Sequence, residues 1–175
     1  QFPNKKILII AENNRIKKNS LIYFDETVLK FLSVLSKDIL KNREAQKYAD
    51  LVSFGFWIRE KNLFKIKSDY NSDEIRFGHG LSFHITPSNI ALNFAYSFVL
   101  SLLAGNSNII RISKTKYKQK NIFFSILKKL FKEKKFNIIK NNNLFISYDN
   151  REDEITNLLS KKADCRIIWG SDKTV

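Results

Sequence analysis

The feature that most constrains the fold is an alternation of short apolar segments with longer amphipathic ones, which begins near Gly78. The apolar segments have the length of buried strands, and the amphipathic segments have the apolar spacing of helices. The predicted strands are residues 80–86, 108–112, 144–148 and 165–169. Buried strands separated by helices form a parallel sheet through right-handed crossovers. The sequence therefore predicts an α/β fold, with a Rossmann-like parallel sheet and flanking helices.

The predicted helices between these strands have their own start and stop signals. The first is predicted over residues 89–104, with Ser88 as its cap and Gly105 as its terminator. The second contains the lysine-rich stretch 114–135 and keeps its apolar residues on one face. The third is predicted over residues 152–161.

Residues 1–74 lack this alternation, and we predict a strand and helix region that packs on the main domain. Its predicted elements are two short strands, 7–11 and 21–24, a helix capped by Asp25 and a second helix over 43–61. Residues 65–74 are polar and are predicted to be a connector. The second predicted domain is the Rossmann-like, cofactor-binding part, residues 75–175.

The net charge of +14 raises the question of nucleic-acid binding. Most of the 31 basic residues are lysine, whereas arginine is the residue that reads bases and binds phosphates bidentately. The cations are spread along the chain, and their densest stretch, 114–135, is typical of a solvated helix face. A basic surface raises non-specific affinity for polyanions at low salt, so specific nucleic-acid binding is the least favoured hypothesis.

Composition and chain ends also constrain where such a protein works. One cysteine excludes an internal disulfide framework and is typical of a reducing compartment. The longest apolar run, 90–104, is interrupted by polar residues, and the N-terminus lacks the apolar core of a secretion signal. We therefore expect no membrane span and a cytoplasmic location. The chain has no methionine and stops where a strand-to-helix turn begins, so we expect a piece of a longer protein.

Three polar segments follow predicted strands and are expected to meet at one edge of the sheet. They are Thr86-Pro87-Ser88-Asn89, Arg111-Ile112-Ser113-Lys114 and Gly170-Ser171-Asp172-Lys173. In open parallel sheets ligands bind beyond the carboxyl ends of the strands, which makes these segments a candidate dinucleotide site. The usual G-x-G-x-x-G fingerprint is missing, because the nearest match, Gly78-His79-Gly80, precedes a strand.

Five stretches carry motifs in the order and spacing of a known family. They are residues 54–59, 80–89, 93–96, 102–111 and 163–170, which include Pro-Ser-Asn, Ala-Gly-Asn and Trp-Gly. On these motifs, nearly the whole chain resembles the acyl-CoA reductase family of the LuxC type. That family includes the fatty-acid reductase of bacterial bioluminescence and belongs to the aldehyde dehydrogenase superfamily.

The resemblance implies a role for each polar segment. Asn89 matches the asparagine whose side-chain amide helps to form the oxyanion hole, and Arg111 matches the lysine that reaches the adenosine ribose. Lys114 stands where NAD-preferring relatives often carry an acid, and two cations there favour a 2′-phosphate, hence NADP(H). Gly170 and Ser171 match the pair that opens the helix beneath the pyrophosphate. The predicted cofactor site is completed by Thr86, Pro87, Ser88 and Ser113.

These residue types also have purely structural interpretations. Asn89 alone is a plausible helix cap, and Arg111 and Lys114 alone are plausible surface cations beside a lysine-rich helix. The family match and the position after parallel strands favour the functional interpretation. Ser88 stands where ordinary aldehyde dehydrogenases carry an aromatic residue, which favours the reductase branch.

The cysteine and the two histidines are predicted to be structural. Cys165 lies inside an apolar strand, where a thiol is usually a buried small hydrophobe. The resemblance implies that the nucleophilic cysteine follows the Gly-Ser turn at a distance, so we do not expect it in this chain. His79 and His84 have no metal-ligand spacing, and no metal site is predicted.

The activity that the resemblance implies is NADPH-dependent reduction of an acyl-CoA or other acyl thioester to an aldehyde, through a cysteine acyl-enzyme. This chain would supply the cofactor-binding part. An acyl-transfer partner protein and an oligomeric state are both compatible with that activity. Two alternatives stay open: a degenerate or truncated dinucleotide-binding module without catalysis, and a basic nucleic-acid-binding protein.

Overall fold

A five-stranded sheet forms the centre of the computed structural model, which describes residues 7–9, 16–70 and 74–170. Its strands are β1 (Leu8–Ile9), β2 (Leu81–Ile85), β3 (Ser107–Arg111), β4 (Asn143–Ser147) and β5 (Cys165–Ile168). They lie in the order β1-β4-β3-β2-β5, where β1 is antiparallel to β4 and every other pair is parallel. The predicted α/β, Rossmann-like sheet is confirmed.

The order of the strands reverses between β2 and β5. From β2 the chain adds β3 and then β4 on one side, and it then returns to place β5 on the other side of β2. Such a reversal leaves a crevice beyond the carboxyl ends of the two neighbouring strands, and open α/β sheets bind ligands there. In this sheet those ends are the paired residues Ile85 and Ile168.

Helices cover both faces of the sheet. They are α1 (Glu26–Lys41), α2 (Ala49–Trp57), α3 (Glu60–Asp69), α4 (Asn93–Leu103), α5 (Lys118–Leu130), α6 (Asn137–Asn142) and α7 (Asp153–Lys162). One large apolar cluster joins α1 to α5 with one face of the sheet, whereas α7 packs on the opposite face. Within the described residues, no helix combines the length and apolarity needed to cross a membrane.

The start of α1 is the predicted one. The Asp25 carboxylate accepts hydrogen bonds from the backbone N–H groups of Thr27, at 2.8 Å, and Val28, at 3.3 Å. This N-cap satisfies donors that have no partner inside the helix. The apolar residues that follow at helical spacing, Val28 among them, are buried in the core.

The predicted bounds of the helix over 43–61 are wrong, and the predicted connector over 65–74 is wrong for residues 65–69, while its residues 71–73 lie outside the described residues. The chain instead forms α2 and α3, which are separated at Arg59, a residue in an extended conformation (φ −70°, ψ 151°). The carbonyl oxygen of Phe56 accepts from the side-chain amide of Asn62, at 2.9 Å, and from the backbone N–H of Arg59, at 3.4 Å. Residues 60–69 are rich in lysine and were therefore read as polar, but they form a helix in which Leu63 is buried and Ile66 packs against the core.

The predicted start of the helix after β2 is also wrong. α4 begins at Asn93, and Ser88 and Asn89 are exposed in an irregular loop that provides no side-chain cap. The predicted end is confirmed, since Gly105 terminates the segment with φ 76°.

The N-terminal predictions are confirmed only in part. β1 covers Leu8 and Ile9 of the predicted strand 7–11, Ile7 precedes it without strand structure, and residues 10 and 11 lie outside the described residues. The predicted strand 21–24 is reduced to a bridge between Ile22 and Phe77. The helix α6 was not predicted. Helices before and after residue 75 share one apolar cluster, and the division into two domains at this point stays a prediction.

Candidate functional site

A cleft of about 830 Å³ lies at the carboxyl ends of the parallel strands. It is lined by every described residue of the predicted site, namely Thr86, Pro87, Ser88, Asn89, Arg111, Ser113, Lys114 and Gly170. Ser171 lies outside the described residues. The three polar segments, which are far apart in sequence, therefore meet around one cavity of the size that holds a small-molecule ligand.

Hydrogen bonds hold the loops of the cleft to one another. The Thr86 hydroxyl donates to the carbonyl oxygen of Arg111 at 2.8 Å, which ties the end of β2 to the end of β3. The Tyr117 hydroxyl donates to the carbonyl oxygen of Ser88 at 3.0 Å. Because its proton is used inside the protein, the Thr86 hydroxyl contributes to the shape of the cleft more than to donor capacity for a ligand.

Lys120 fixes the loop that follows β3. Its ammonium group donates to the carbonyl oxygens of Ser113, at 2.8 Å, and Thr115, at 2.5 Å. Burial lowers the pKa of Lys120. The Ser113 hydroxyl also accepts from the backbone N–H of Thr115 at 3.1 Å. Lys114 lies within this fixed loop as an exposed residue at the edge of the cleft.

Arg111 is oriented by an aromatic ring. Its guanidinium carbon lies 5.0 Å from the centroid of the Tyr148 ring, a cation–π contact. The ring is itself fixed, since the Tyr148 hydroxyl is 2.9 Å from the hydroxyl of Thr156. Within the described part of the chain, the buried Nε of Arg111 has no hydrogen-bond partner. A cation with an unused donor therefore lines the cleft.

The cleft also contains an acid that the sequence did not single out. Asp149 accepts from the Arg151 side chain at 3.0 Å and 3.3 Å and from its backbone N–H at 3.1 Å. These hydrogen bonds from Arg151, with a charge contribution from Lys114, lower the pKa of Asp149 to about 2. The carboxylate is ionised and paired, so Arg111 and Lys114 keep the cleft basic.

Two asparagines with different surroundings line the cleft after β2. Asn89 is exposed in the loop. Asn93, at the first turn of α4, has a buried side-chain oxygen without a hydrogen-bond partner among the described residues. Buried polar atoms are almost always paired, so an unpaired acceptor in a cleft is a candidate ligand contact.

His84 has the structural surroundings predicted for it. The ring is buried beneath the cleft, with Nδ1 2.7 Å from the Ser97 hydroxyl and Nε2 2.9 Å from the side-chain oxygen of Asn108. Burial lowers the pKa of His84 to about 4. His79, by contrast, is exposed. No group of three or more His, Cys, Asp or Glu in residues 7–9, 16–70 and 74–170 is arranged to hold a metal ion.

Cys165 lies away from the cleft. It pairs with Ser82 at the amino end of β5, whereas the cleft opens at the carboxyl end of that strand. The prediction that this thiol is buried is wrong, because Cys165 is half-buried. In the described sheet β5 is an edge strand that pairs with β2 alone, so its side chains are partly accessible.

The cleft residues that sequence reasoning missed include the polar or aromatic residues Asn93, Tyr148, Asp149, Asn150 and Trp169. Tyr148, Asp149 and Asn150 follow β4, so the rule that selected the residues after β2, β3 and β5 also applied to them. Trp169 was visible only as part of a motif. Asn93 was likewise visible only as the first residue of the motif 93–96, because its unpaired oxygen is a consequence of packing.

The comparison with known proteins agrees with this geometry. Residues 18–175 match the family model described as Acyl-CoA reductase (LuxC). No curated protein and no solved structure matches the chain significantly. The matched segment includes all four parallel strands and every residue of the predicted site. The chain therefore belongs to the acyl-CoA reductase (LuxC) family, a family of oxidoreductases.

Proposed function

We propose that the cleft binds NADPH and that the chain serves the reduction of an acyl-CoA, or another acyl thioester, to an aldehyde. The observation that supports this most strongly is that Asn89, Arg111, Lys114 and Gly170 line one cavity at the reversal of the strand order. An amide donor, two cations and a glycine at a strand end are the groups that this chemistry needs.

The basic side of the cleft fits a 2′-phosphate. Arg111 has a buried Nε without a partner among the described residues, and Lys114 is exposed at the same cavity. Charge-assisted hydrogen bonds from both groups would favour NADPH over NADH. Asp149 does not reverse this preference, because its carboxylate is already paired with Arg151. Gly170, together with Ser171, would receive the pyrophosphate.

The proposed reaction needs groups from this chain and a cysteine thiolate that this chain does not supply. NADPH would supply the hydride. In our proposal the cysteine thiolate attacks the thioester carbonyl and takes the acyl group, while the CoA or other carrier leaves as its thiolate. Hydride addition to the acyl-cysteine then releases the aldehyde and regenerates the cysteine thiolate. The Asn89 amide would donate to the carbonyl oxygen as negative charge develops there. Cys165 is not assigned the nucleophilic role, since it lies at the opposite end of β5 from the cleft.

We also expect a cytoplasmic protein, which the single cysteine supports, and no specific nucleic-acid partner. An acyl-transfer partner protein and an oligomer would be compatible with this function. A dinucleotide-binding module without catalysis is the alternative, and it would bind NADPH without forming an aldehyde.

The preference for NADPH is tested by reversing one charge in the cleft. Lys114→Glu should weaken NADPH binding by about tenfold or more while changing NADH binding little, because it removes a charge-assisted contact with the 2′-phosphate. Equilibrium titration of each variant with both nucleotides measures this. Arg111→Ala should act in the same direction.

Lys116→Glu is the matched control, because Lys116 is an exposed lysine near Lys114 that does not line the cleft. It changes the net charge equally and should leave the preference intact. Equal losses in Lys114→Glu and Lys116→Glu would contradict a specific 2′-phosphate site. Failure of the wild-type chain to bind either nucleotide would overturn the proposal.

A further inference from the structure

A row of hydrogen-bonded polar side chains begins at the cleft and continues beneath it. The Trp169 indole N–H donates to the Ser97 hydroxyl at 2.9 Å. That hydroxyl is 2.7 Å from Nδ1 of His84, whose Nε2 is 2.9 Å from the side-chain oxygen of Asn108. Trp169 lines the cavity, whereas Ser97, His84 and Asn108 are buried. Nothing in the proposed function requires this row.

The direction of every hydrogen bond in the row is determined. The amide nitrogen of Asn108 donates to the side-chain oxygen of Asn143 at 2.7 Å and to the carbonyl oxygen of Asn106 at 3.0 Å, so its oxygen faces His84. Nε2 of His84 must therefore carry the proton, and Nδ1 must accept. The Ser97 hydroxyl then donates to His84 and accepts from Trp169. No member can rotate without losing a buried hydrogen bond.

Trp169 is consequently fixed at both ends. Its backbone N–H donates to the carbonyl oxygen of Ile85 at 3.0 Å, and its indole N–H is held by Ser97. Its side chain is nevertheless accessible, since the residue is 37% exposed. An exposed aromatic ring that is already immobilised loses little conformational entropy when a flat ligand packs against it. An accessible ring held in a fixed orientation is typical of a preorganised binding surface.

The position of Trp169 in the sheet indicates which part of a dinucleotide it meets. Arg111, the expected partner of the 2′-phosphate, ends β3, and Trp169 follows β5, two strands away. Neighbouring strands are ~4.8 Å apart, so the two residues follow strands about 10 Å apart. A dinucleotide anchored by its adenosine phosphate at Arg111 would therefore extend towards Trp169 with its nicotinamide half.

We propose that Ser97 and His84 are positioning residues that hold the Trp169 indole as a wall of the cleft, against which the nicotinamide ring of NADPH packs. The inference rests on the proposed function, because it requires NADPH in the cleft. An offset stack of flat rings would give the contact both affinity and a defined ring orientation. Ser97 and His84 would act only through Trp169, since both are buried beneath it.

The fluorescence of Trp169 provides a direct test. The chain has two tryptophans, and the second, Trp57, packs on Tyr96 with ring centroids 4.9 Å apart. Trp57→Phe makes Trp169 the sole indole. In this background Ser97→Ala should lower the fluorescence anisotropy of Trp169, shift its emission to longer wavelength and weaken NADPH binding by about two- to tenfold.

Ser101→Ala is the matched control. Ser101 is a buried serine on the same helix, and its hydroxyl accepts from Asn106 at 3.1 Å and not from Trp169. This substitution should leave the anisotropy, the emission and the NADPH affinity unchanged. Trp169→Phe, at an accessible position, gives a second test that does not depend on a buried substitution. It keeps an aromatic ring without the N–H and should weaken NADPH binding as Ser97→Ala does.

The possible failures are distinguishable. Unchanged anisotropy in Ser97→Ala, equal effects of Ser97→Ala and Ser101→Ala, or full NADPH affinity in Trp169→Phe would overturn the positioning role and leave NADPH binding intact. Absence of NADPH binding to the wild-type chain and to Trp57→Phe would overturn the proposed function and this inference with it.

Discussion

At the residue scale, the polar groups of the cleft divide into those that shape it and those that are free to contact a ligand. Thr86 and Lys120 donate to backbone carbonyl oxygens of the cleft loops. Arg111 Nε and Asn93 Oδ1 are buried without a partner among the described residues. A buried polar atom without a hydrogen bond costs about 1–3 kcal/mol. Both atoms belong to residues that line the cleft, so a ligand group that reaches them would remove this cost.

His84 makes the stability of the fold depend on pH. Burial lowers its pKa from 6.5 to about 4, and the hydrogen bond with Asn108 opposes this only in part. Between these values the unfolded chain binds more protons than the folded chain, so the free energy of unfolding falls as the pH drops from 6.5 to 4. The expected loss is about 3 kcal/mol, and the contribution is constant at higher pH.

Urea unfolding across this pH range measures the effect. His84→Gln lowers stability at neutral pH but should flatten this part of the pH dependence, whereas His79→Gln, which removes an exposed histidine, should retain it. A wild-type slope no steeper than that of His84→Gln would show that the buried ring does not titrate as described.

At the scale of elements, the turn between α4 and β3 accepts only glycine. Gly105 has φ 76°, and a Cβ at this position would overlap the carbonyl oxygen of Leu21. The Gly105 carbonyl oxygen accepts from the backbone N–H of Leu21 at 2.8 Å, and the Leu21 carbonyl oxygen accepts from Gly78 at 3.0 Å. The turn thus attaches the segment before α1 to the edge of the sheet opposite the cleft.

A left-handed conformation costs a residue with a Cβ roughly 1–2 kcal/mol. Gly105→Ala should lower the free energy of unfolding by more than this, because the added methyl group also meets Leu21. Gly105→Asn separates the two causes. Asparagine tolerates the left-handed region, yet it also carries a Cβ, so it should destabilise the fold as well. Chemical denaturation measures both variants. Wild-type stability in Gly105→Asn would disprove the close approach to Leu21.

The elements that the sequence predicted are those whose signals are local. β2 to β5 are short apolar runs between turn residues, and Asp25 caps α1 with its own side chain. The break between α2 and α3 at Arg59 and the late start of α4 at Asn93 depend on tertiary packing against the core, so no local pattern in the sequence indicates them. The sequence of α3 is mostly polar and rich in lysine, and its only buried residue is Leu63, so its apolar pattern is too weak to predict a helix.

The candidate site divides in the same way. Thr86, Asn89, Arg111, Lys114 and Gly170 were predictable, because each follows a strand and parallel strands end at a common edge. The bond between Trp169 and Ser97 was not, since it joins positions 72 residues apart and requires the packing of α4 on the sheet. The unpaired atoms of Arg111 and Asn93 are likewise visible only in three dimensions.

At the scale of the whole molecule, topology and not a sequence fingerprint creates the site. The reversal between β2 and β5 leaves the crevice, and the loops after four parallel strands supply its lining. Both glycines of the nearest fingerprint match, Gly78 and Gly80, precede β2, so they lie at the opposite edge of the sheet. A dinucleotide held here would depend on side-chain cations and a fixed indole more than on a glycine-rich loop.

The most direct measurement maps NADPH onto the backbone amides of the isotope-labelled chain by nuclear magnetic resonance. The largest chemical-shift changes are expected at Thr86, Ser88 and Asn89, at residues 113–114, and at Trp169 and Gly170, with α1 and α3 unaffected. Changes centred on α1 or α3, or no change at saturating NADPH, would contradict a cofactor site at the carboxyl ends of the parallel strands.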